Sequence, residues 1–203
     1  MARSLRVEAA GAPCHLMIRG NNREDVFINE DCFNRYIEIL KGYKERFGYK
    51  LYCYCLILNH IHLLMEASEK ALISKIMQCV NTSFTMYYNK KFGRTGHVFE
   101  GRYKSKIIKD DRYLLGVSRY IHRNPLKHGL CKDPRDYMYS SIKSYLPNSI
   151  DDGLIDATFI LKMLNDDIEM AKKEYEELLI GRSLHNQGLT PNYATNQGPL
   201  VVK

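Results

Sequence analysis

The segment His60-Ile61-His62-Leu63-Leu64-Met65-Glu66 places two histidines one residue apart inside an apolar run. Side chains alternate between the two faces of a strand, so both imidazoles would share one face while Ile61, Leu63 and Met65 fill the other. Neutral imidazole nitrogens are good ligands for a divalent ion. The spacing therefore predicts a metal site built on a strand. The alternative is a chance pair on a solvent-exposed face, since the chain contains seven histidines.

A reactive group and a third ligand have to come from elsewhere in the chain. About sixty residues later, Leu114, Val117 and Ile121 form an apolar stripe at helical spacing, with Tyr120 at its edge and Asn124 four positions further on. Residues four apart are neighbours on a helix surface. The phenol of Tyr120 could act as a nucleophile, and the amide oxygen of Asn124 could complete a metal site with the two histidines. The alternative is that Tyr120 only packs at the edge of the core, because the chain has 15 tyrosines.

The chain is basic, with 30 Lys and Arg against 23 Asp and Glu and a formal net charge of +7, which fits a polyanionic partner. Segment 90–106 combines positive charge, glycine and aromatic rings, a mixture that suits phosphates and unstacked bases. Phe99 and Tyr103 could stack on bases, although burial of Phe99 is an alternative, and an ordinary solvated loop is another. The cations predicted to contact a nucleic-acid backbone are Arg94, Arg102, Lys104 and Lys106.

Apolar periodicity and helix caps predict elements in the order strand, helix, strand, strand, helix, strand, helix. The strands are expected at 14–19, at 51–58, from His60 onward, and at 103–108. The helices are expected to begin at Asn29, Ser68 and Asp110 and to end at Gly48, Gly93 and Asn124, where Pro125 stops the last one. This order predicts an α+β protein with a ferredoxin-like antiparallel sheet, helices on one face, and an additional helix that carries Tyr120.

The 203 residues fit one compact domain with an appendage,. We expect a catalytic domain over residues 1–146 and a helical extension over 147–203. Within the extension, Asp156–Ile180 is predicted to be one charged amphipathic helix and Gly181–Lys203 a flexible tail. The six cysteines form no CxxC pair, and we see neither a signal peptide nor an apolar run of membrane-spanning length, so we expect a location in a reducing cytoplasm.

Three motifs in this order resemble the single-tyrosine HUH transposases of bacterial insertion sequences, and in particular their domesticated relatives, the REP-associated tyrosine transposases. The resemblance covers residues 10 to 145. Its motifs are Asn59-His60-Ile61-His62-Leu63-Leu64, Gly96-His97-Val98-Phe99-Glu100-Gly101-Arg102-Tyr103-Lys104-Ser105 and Arg119-Tyr120-Ile121-His122-Arg123-Asn124-Pro125-Leu126-Lys127-His128-Gly129.

The resemblance implies that His60 and His62 bind a metal, that Tyr120 is the nucleophile, and that the fold commonly dimerises. Asn124 matches the position of a polar third ligand, where related members use Gln. The implied reaction is metal-assisted strand transfer on single-stranded or hairpin DNA, with Mg or Mn as the cofactor and a 5′-phosphotyrosine intermediate. Arg119 and Arg123, on the same helix as Tyr120, are predicted to favour its phenolate and to bind DNA.

Two other functions are compatible with the sequence. A ferredoxin-like protein could bind single-stranded nucleic acid without cutting it, using the tyrosine-rich strand from Tyr49 to Tyr54 as a stacking surface. A metal-dependent phosphodiesterase could use bound water in place of a tyrosine. A covalent protein–DNA adduct would distinguish the transposase from both.

Overall fold

The structure is a computed structural model that describes residues 11–149 and 153–181. Its four strands are β1 (Cys14–Arg19), β2 (Lys50–Ile57), β3 (His60–Glu66) and β4 (Lys104–Ile107). They form one antiparallel sheet in the order β2-β3-β1-β4. This order, with helices between β1 and β2 and between β3 and β4, confirms the predicted ferredoxin-like arrangement.

The helices are α1 (Glu30–Phe47), α2 (Ile73–Phe92), α3 (Asp111–Lys127), α4 (Ala157–Leu161) and α5 (Ile168–Ile180). As predicted, Asn29 caps α1 by accepting a hydrogen bond from the backbone N–H of Cys32, and Asp110 caps α3 in the same way. Gly48 and Gly93 end α1 and α2 in the left-handed conformation that glycine adopts without steric cost,.

The two faces of the sheet are covered by different helices. Leu16 and Ile18 of β1 and Ile61 and Leu63 of β3 share one face and are buried, and α1 and α2, which pack on each other, cover it. The opposite face carries His62 and is covered by α3, which packs mainly on β2 and β3. The sheet therefore positions the histidine pair directly beneath the helix that carries Tyr120.

Two predicted helix boundaries are wrong, each for a local reason. Helix α2 begins at Ile73 rather than at Ser68, because the Ser68 hydroxyl donates to the carbonyl of Phe47 and its oxygen accepts from the N–H of Lys70 in a tight turn. Helix α3 continues through Pro125 to Lys127. A proline near a helix end removes only one intrahelical hydrogen bond, and the N–H of His128 still bonds to the carbonyl of Asn124,.

The single helix predicted over Asp156–Ile180 is two helices. Between them, the Asn165 side chain accepts a hydrogen bond from the N–H of Asp167, and Asp167 in turn caps α5 by accepting from the N–H of Met170. Such side-chain acceptors compete with helix continuation. The predicted tail after Gly181 lies outside the described residues.

The segment that follows α3 covers the outer edge of β2. The phenols of Tyr137 and Tyr145 each donate to a β2 carbonyl, those of Leu56 and Tyr52, at 2.7 Å. The Asp156 carboxylate accepts from the N–H of Leu51 at 2.8 Å. A sheet edge with unsatisfied backbone groups invites pairing with another chain, and these contacts satisfy that edge internally.

Candidate active site

His60 and His62 lie on β3 and point to the face beneath α3. Both are buried, at 9% and 2% exposure, while Ile61, Leu63 and Met65 on the other face are fully buried. The alternation predicted from the sequence is therefore confirmed. The two imidazole centroids are 5.1 Å apart with nearly perpendicular rings.

Each of these rings has a neighbour at its Nδ1 atom. The Nδ1 of His60 lies 2.8 Å from Oδ1 of Asn59, and the Nδ1 of His62 lies 3.0 Å from Nε2 of His15. A metal-binding imidazole uses one nitrogen for the ion and the other for such a neighbour. In both rings, Nε2 is therefore the nitrogen that would bind a metal.

The environment keeps both rings uncharged. Burial, reinforced by His128, lowers the pKa of His60 to about 4, although the Asn124 amide opposes this shift. Burial and the neighbouring His15 hold the pKa of His62 well below its usual range. A metal ligand has to be an unprotonated imidazole, so the site is already in the required state at neutral pH.

Tyr120 lies next to this pair in the same chain. Its ring centroid is 5.7 Å from that of His62 and 6.3 Å from that of His15, and both contacts have edge-on geometry. The Nζ of Lys127, two turns further along α3, is 5.7 Å from the Tyr120 ring centroid. The nucleophile predicted from the sequence is thus close to the histidines and beside a cation.

Asn124, one turn after Tyr120, has an unusual environment. It is 1% exposed, yet within the described part of the chain neither atom of its amide makes a hydrogen bond of acceptable geometry. Its side chain interacts with His60 and raises the pKa of that imidazole, against the larger lowering by burial. Buried polar groups normally have partners, and an exception calls for an explanation such as an absent ion.

A groove of about 260 Å³ runs along α3 at this position. It brings together Tyr120, the buried Asn124 amide and three cations. Its lining consists of Gly116, Arg119, Tyr120, Arg123, Asn124, Leu126 and Lys127. A groove with this lining could accept the backbone of a polyanion beside the phenol.

Two of the predicted nucleic-acid contacts lie on the same sheet face as His62. Lys104 pairs across β4 and β1 with Met17, and Met17 pairs across β1 and β3 with His62. Directly paired residues share a face, and two strand spacings amount to about 9.5 Å. Lys106 likewise pairs with His15, and its Nζ lies 2.7 Å from the Tyr113 phenol oxygen.

The other two cations of this loop lie outside these pairings. Arg102 is exposed. Arg94 forms a 3.3 Å ion pair with Glu24, and its guanidinium lies 5.7 Å from the Tyr88 ring centroid. Their predicted role in DNA binding stays a prediction.

Arg119 and Arg123 each donate a hydrogen bond to a backbone carbonyl of α5. The Nε of Arg119 donates to the carbonyl of Leu178 at 2.7 Å, and Arg123 donates to the carbonyl of Leu179. Both arginines also line the groove beside Tyr120. Their contacts in the structure are thus with protein backbone, and DNA binding by their remaining N–H groups stays a prediction.

The aromatic residues expected to stack on bases are buried instead. Phe99 and Tyr103 are each 7% exposed, and Phe99 packs against Phe84 with centroids 5.8 Å apart. Tyr49, Tyr52 and Tyr54 are also buried, which removes the stacking surface that a non-cleaving single-strand binder would use. The alternative that Phe99 is buried is therefore confirmed. The expectations that Tyr103 stacks on bases and that the strand tyrosines form a stacking surface were wrong, because aromatic residues in a strand or loop fill the core as readily as they face solvent.

Three residues near the site are not evident from the sequence. His15 contacts both His62 and Tyr120, and His128 contacts His60 with centroids 4.8 Å apart. The third, Lys127, has one sequence signal, since it lies seven residues after Tyr120 and therefore on the same helix face. His15 and His128 reach the site through strand register and the turn after Pro125, which no local pattern reveals.

Within the two ranges that the structure covers, no helix combines the length and apolar character needed to span a membrane.

Comparison with known proteins identifies the family. The family model for IS200-like transposases matches residues 10–124, more than half of the chain. A protein of Haemophilus influenzae named as a REP-associated tyrosine transposase is 28% identical over 121 residues, which cover 55% of this chain and 69% of that protein.

One solved structure, of a REP-associated tyrosine transposase bound to a REP hairpin, superposes with a TM-score of 0.58 at 16% identity. The match covers 70% of this chain and 82% of that one, and it supports the fold. With the family model spanning the sheet, the histidine pair and Tyr120, the chain belongs to the IS200-like transposases, enzymes of DNA transposition.

Proposed function

We propose that this transposase cleaves and rejoins single-stranded, hairpin-forming DNA through a covalent bond between Tyr120 and a 5′ phosphate. The observation that carries the proposal is the placement of the Tyr120 ring 5.7 Å from His62, with the buried Asn124 one turn further along α3. If Tyr120 only packed at the edge of the core, the unsatisfied amide of the neighbouring Asn124 would have no explanation.

The reaction is a transesterification at phosphorus. The phenolic oxygen of Tyr120 gives up its proton and attacks the scissile phosphate, the bond from phosphorus to the 3′ oxygen breaks, and that oxygen takes up a proton and leaves as a hydroxyl. The proton lost by the phenol balances the one gained by the 3′ oxygen. The phosphotyrosine ester conserves the energy of the broken bond, so a second 3′ hydroxyl can displace the tyrosine and restore a phosphodiester. Lys127, whose Nζ lies 5.7 Å from the ring centroid, would place a positive charge beside the reacting phosphate.

The residues present fit a divalent metal ion. His60 and His62 would offer Nε2, Asn124 would offer its amide oxygen, and DNA oxygens and water would fill the remaining positions. No cluster of three His, Cys, Asp or Glu suited to a metal occurs in the described ranges, so the amide is essential to this ligand set. Mg²⁺ and Mn²⁺ accept such oxygen ligands. When bound, the ion would act as a Lewis acid that stabilises charge on the phosphate oxygens.

The DNA would lie along the groove of α3 and across the site face toward β4. Lys104 and Lys106 provide positive charge on that face, and Arg94 and Arg102 extend it along the loop. A homodimer, as the family resemblance implies, would have to use a surface other than the outer edge of β2, because Tyr137, Tyr145 and Asp156 cover that edge.

The test is covalent capture of DNA. The wild-type protein, Tyr120→Phe and Tyr113→Phe are incubated with labelled hairpin oligonucleotides and Mn²⁺ or Mg²⁺, and denaturation-resistant adducts are mapped by peptide mass spectrometry. Tyr113→Phe is the matched control, since Tyr113 lies two turns earlier on the same helix. We expect an adduct at Tyr120 that only Tyr120→Phe abolishes.

Two other results would change the assignment. Cleavage by Tyr120→Phe without an adduct would identify a phosphodiesterase that uses water. Hairpin binding by the wild-type protein, with neither cleavage nor an adduct for any hairpin in either metal, would identify a binding protein that has lost its activity.

A further inference from the structure

His15 and His62 form a buried pair beneath the tyrosine helix. The Nε2 of His15 lies 3.0 Å from the Nδ1 of His62, and the rings are stacked with centroids 5.2 Å apart. His15 is 6% exposed and His62 is 2% exposed. The contact is diagonal across β1 and β3, because His15 pairs directly with Leu64 and His62 with Met17,.

A hydrogen bond between two neutral imidazoles can hold its proton on either ring. If the proton is on His62 Nδ1, then His15 Nε2 accepts it and His62 Nε2 carries a lone pair. If the proton is on His15 Nε2, then His62 carries its own proton on Nε2 and cannot bind a metal through that atom. The choice between these two tautomers therefore decides whether His62 can act as a ligand.

We infer that His15 is a positioning residue that accepts the Nδ1 proton of His62 and so presents the Nε2 lone pair of His62 to a metal ion. This inference rests on the metal site of the proposed function and extends it to a residue of β1. His15 also contacts the ring of Tyr120 edge-on, so the same side chain borders both the ligand and the nucleophile.

The surroundings of His15 favour an acceptor over a cationic donor. His15 is buried, and its pairing partner on β4 is the cation Lys106, so a second positive charge at this position is disfavoured,. An imidazolium at this position would donate from both nitrogens and would leave His62 as the acceptor, in the tautomer that cannot bind through Nε2.

The test compares two substitutions of similar shape, His15→Gln and His15→Met. The Gln amide oxygen can replace Nε2 as an acceptor, whereas the Met thioether is only a weak one. Urea unfolding of both variants first establishes that they are folded. The tautomer of His62 is then read from ¹⁵N chemical shifts in metal-free protein, assigned with a His62→Gln variant. Mn²⁺ affinity is measured by electron paramagnetic resonance.

We expect His62 to carry its proton on Nδ1 in the wild-type protein and in His15→Gln, and to become a mixture of tautomers in His15→Met. Loss of a hydrogen-bond partner of a metal ligand costs about 10- to 100-fold in metal affinity, so His15→Met should bind Mn²⁺ more weakly by this factor and His15→Gln should recover most of it.

The inference is overturned if His15→Met keeps the wild-type tautomer, or if it keeps the wild-type Mn²⁺ affinity. If the wild-type protein itself binds no Mn²⁺, the proposed metal site fails, and the chemical shifts alone then decide whether His15 sets the tautomer of His62.

Discussion

Arg119, the residue immediately before Tyr120, donates a hydrogen bond from Nε to the carbonyl oxygen of Leu178 at 2.7 Å. Arg123, one turn later, donates to the carbonyl of Leu179. Both acceptors lie in the last turn of α5, where the helix dipole is negative. Helix α5 therefore contacts α3 through the two arginines on either side of Tyr120.

Replacing Arg119 with Met is expected to destabilise the protein. The substitution keeps much of the aliphatic side chain and removes a charged donor, and hydrogen bonds to charged groups contribute about 1.5 to 3 kcal/mol. The free energy of unfolding should fall by about that amount in urea titrations. Arg112→Met, at an exposed position of the same helix, is the control and should change stability by less than about 0.5 kcal/mol. Equal stability of the two variants would show that the contact with Leu178 is dispensable.

Asn124→Leu is expected to separate stability from activity. Both atoms of this buried amide lack hydrogen bonds, so an apolar side chain of similar size removes an unsatisfied group, which is neutral or stabilising. The free energy of unfolding of the metal-free protein should stay constant or rise by about 1 kcal/mol. Mn²⁺ affinity and adduct formation should both fall, as measured by paramagnetic resonance and gel assay. A large loss of stability would instead assign Asn124 a structural role.

Sequence patterns predict the parts of the site that depend on local periodicity. The alternation in His60-Ile61-His62 fixes which face the imidazoles share, and the four-residue spacing fixes that Tyr120 and Asn124 are neighbours. Contacts that depend on tertiary packing are not predictable in this way. His15 meets His62 across 47 positions of sequence, and Arg119 meets Leu178 across 59. The burial of Phe99 and Tyr103 also depends on packing, because an aromatic ring in a basic loop fits either a core or a base.

Stability is expected to fall in acid because of His122. Its ring is buried between Tyr175 and Ser141, at 2.7 and 2.8 Å, and burial lowers its pKa to about 3. The unfolded chain binds a proton near pH 6.5, so it binds more protons than the folded protein below that pH. The stabilisation by the neutral ring is therefore complete above about pH 6.5 and declines toward pH 3, by at most about 1.4 kcal/mol per pH unit for this group.

Urea titrations at several pH values between neutrality and the onset of acid unfolding measure this slope. The buried His15, His60 and His62 contribute in the same direction, so His122→Gln should reduce the slope without abolishing it. Gln can still bond to one of the two flanking hydroxyls, which limits the loss of stability at neutral pH. An unchanged slope in His122→Gln would show that His122 is not a source of the acid sensitivity.

Lys104 and Lys106 are expected to contribute to DNA binding through phosphate contacts, because strand pairing places both on the face that carries His62. Each lysine that neutralises a phosphate of single-stranded DNA contributes about 0.7 to the slope of log affinity against log salt concentration. Lys104→Gln and Lys106→Gln should each flatten that slope by about this amount between about 50 and 200 mM salt, measured by fluorescence anisotropy with a labelled hairpin. Lys75→Gln is the matched control, since Lys75 is an exposed lysine of α2, outside the basic segment 90–106. Slopes that match the control would place the DNA on another surface.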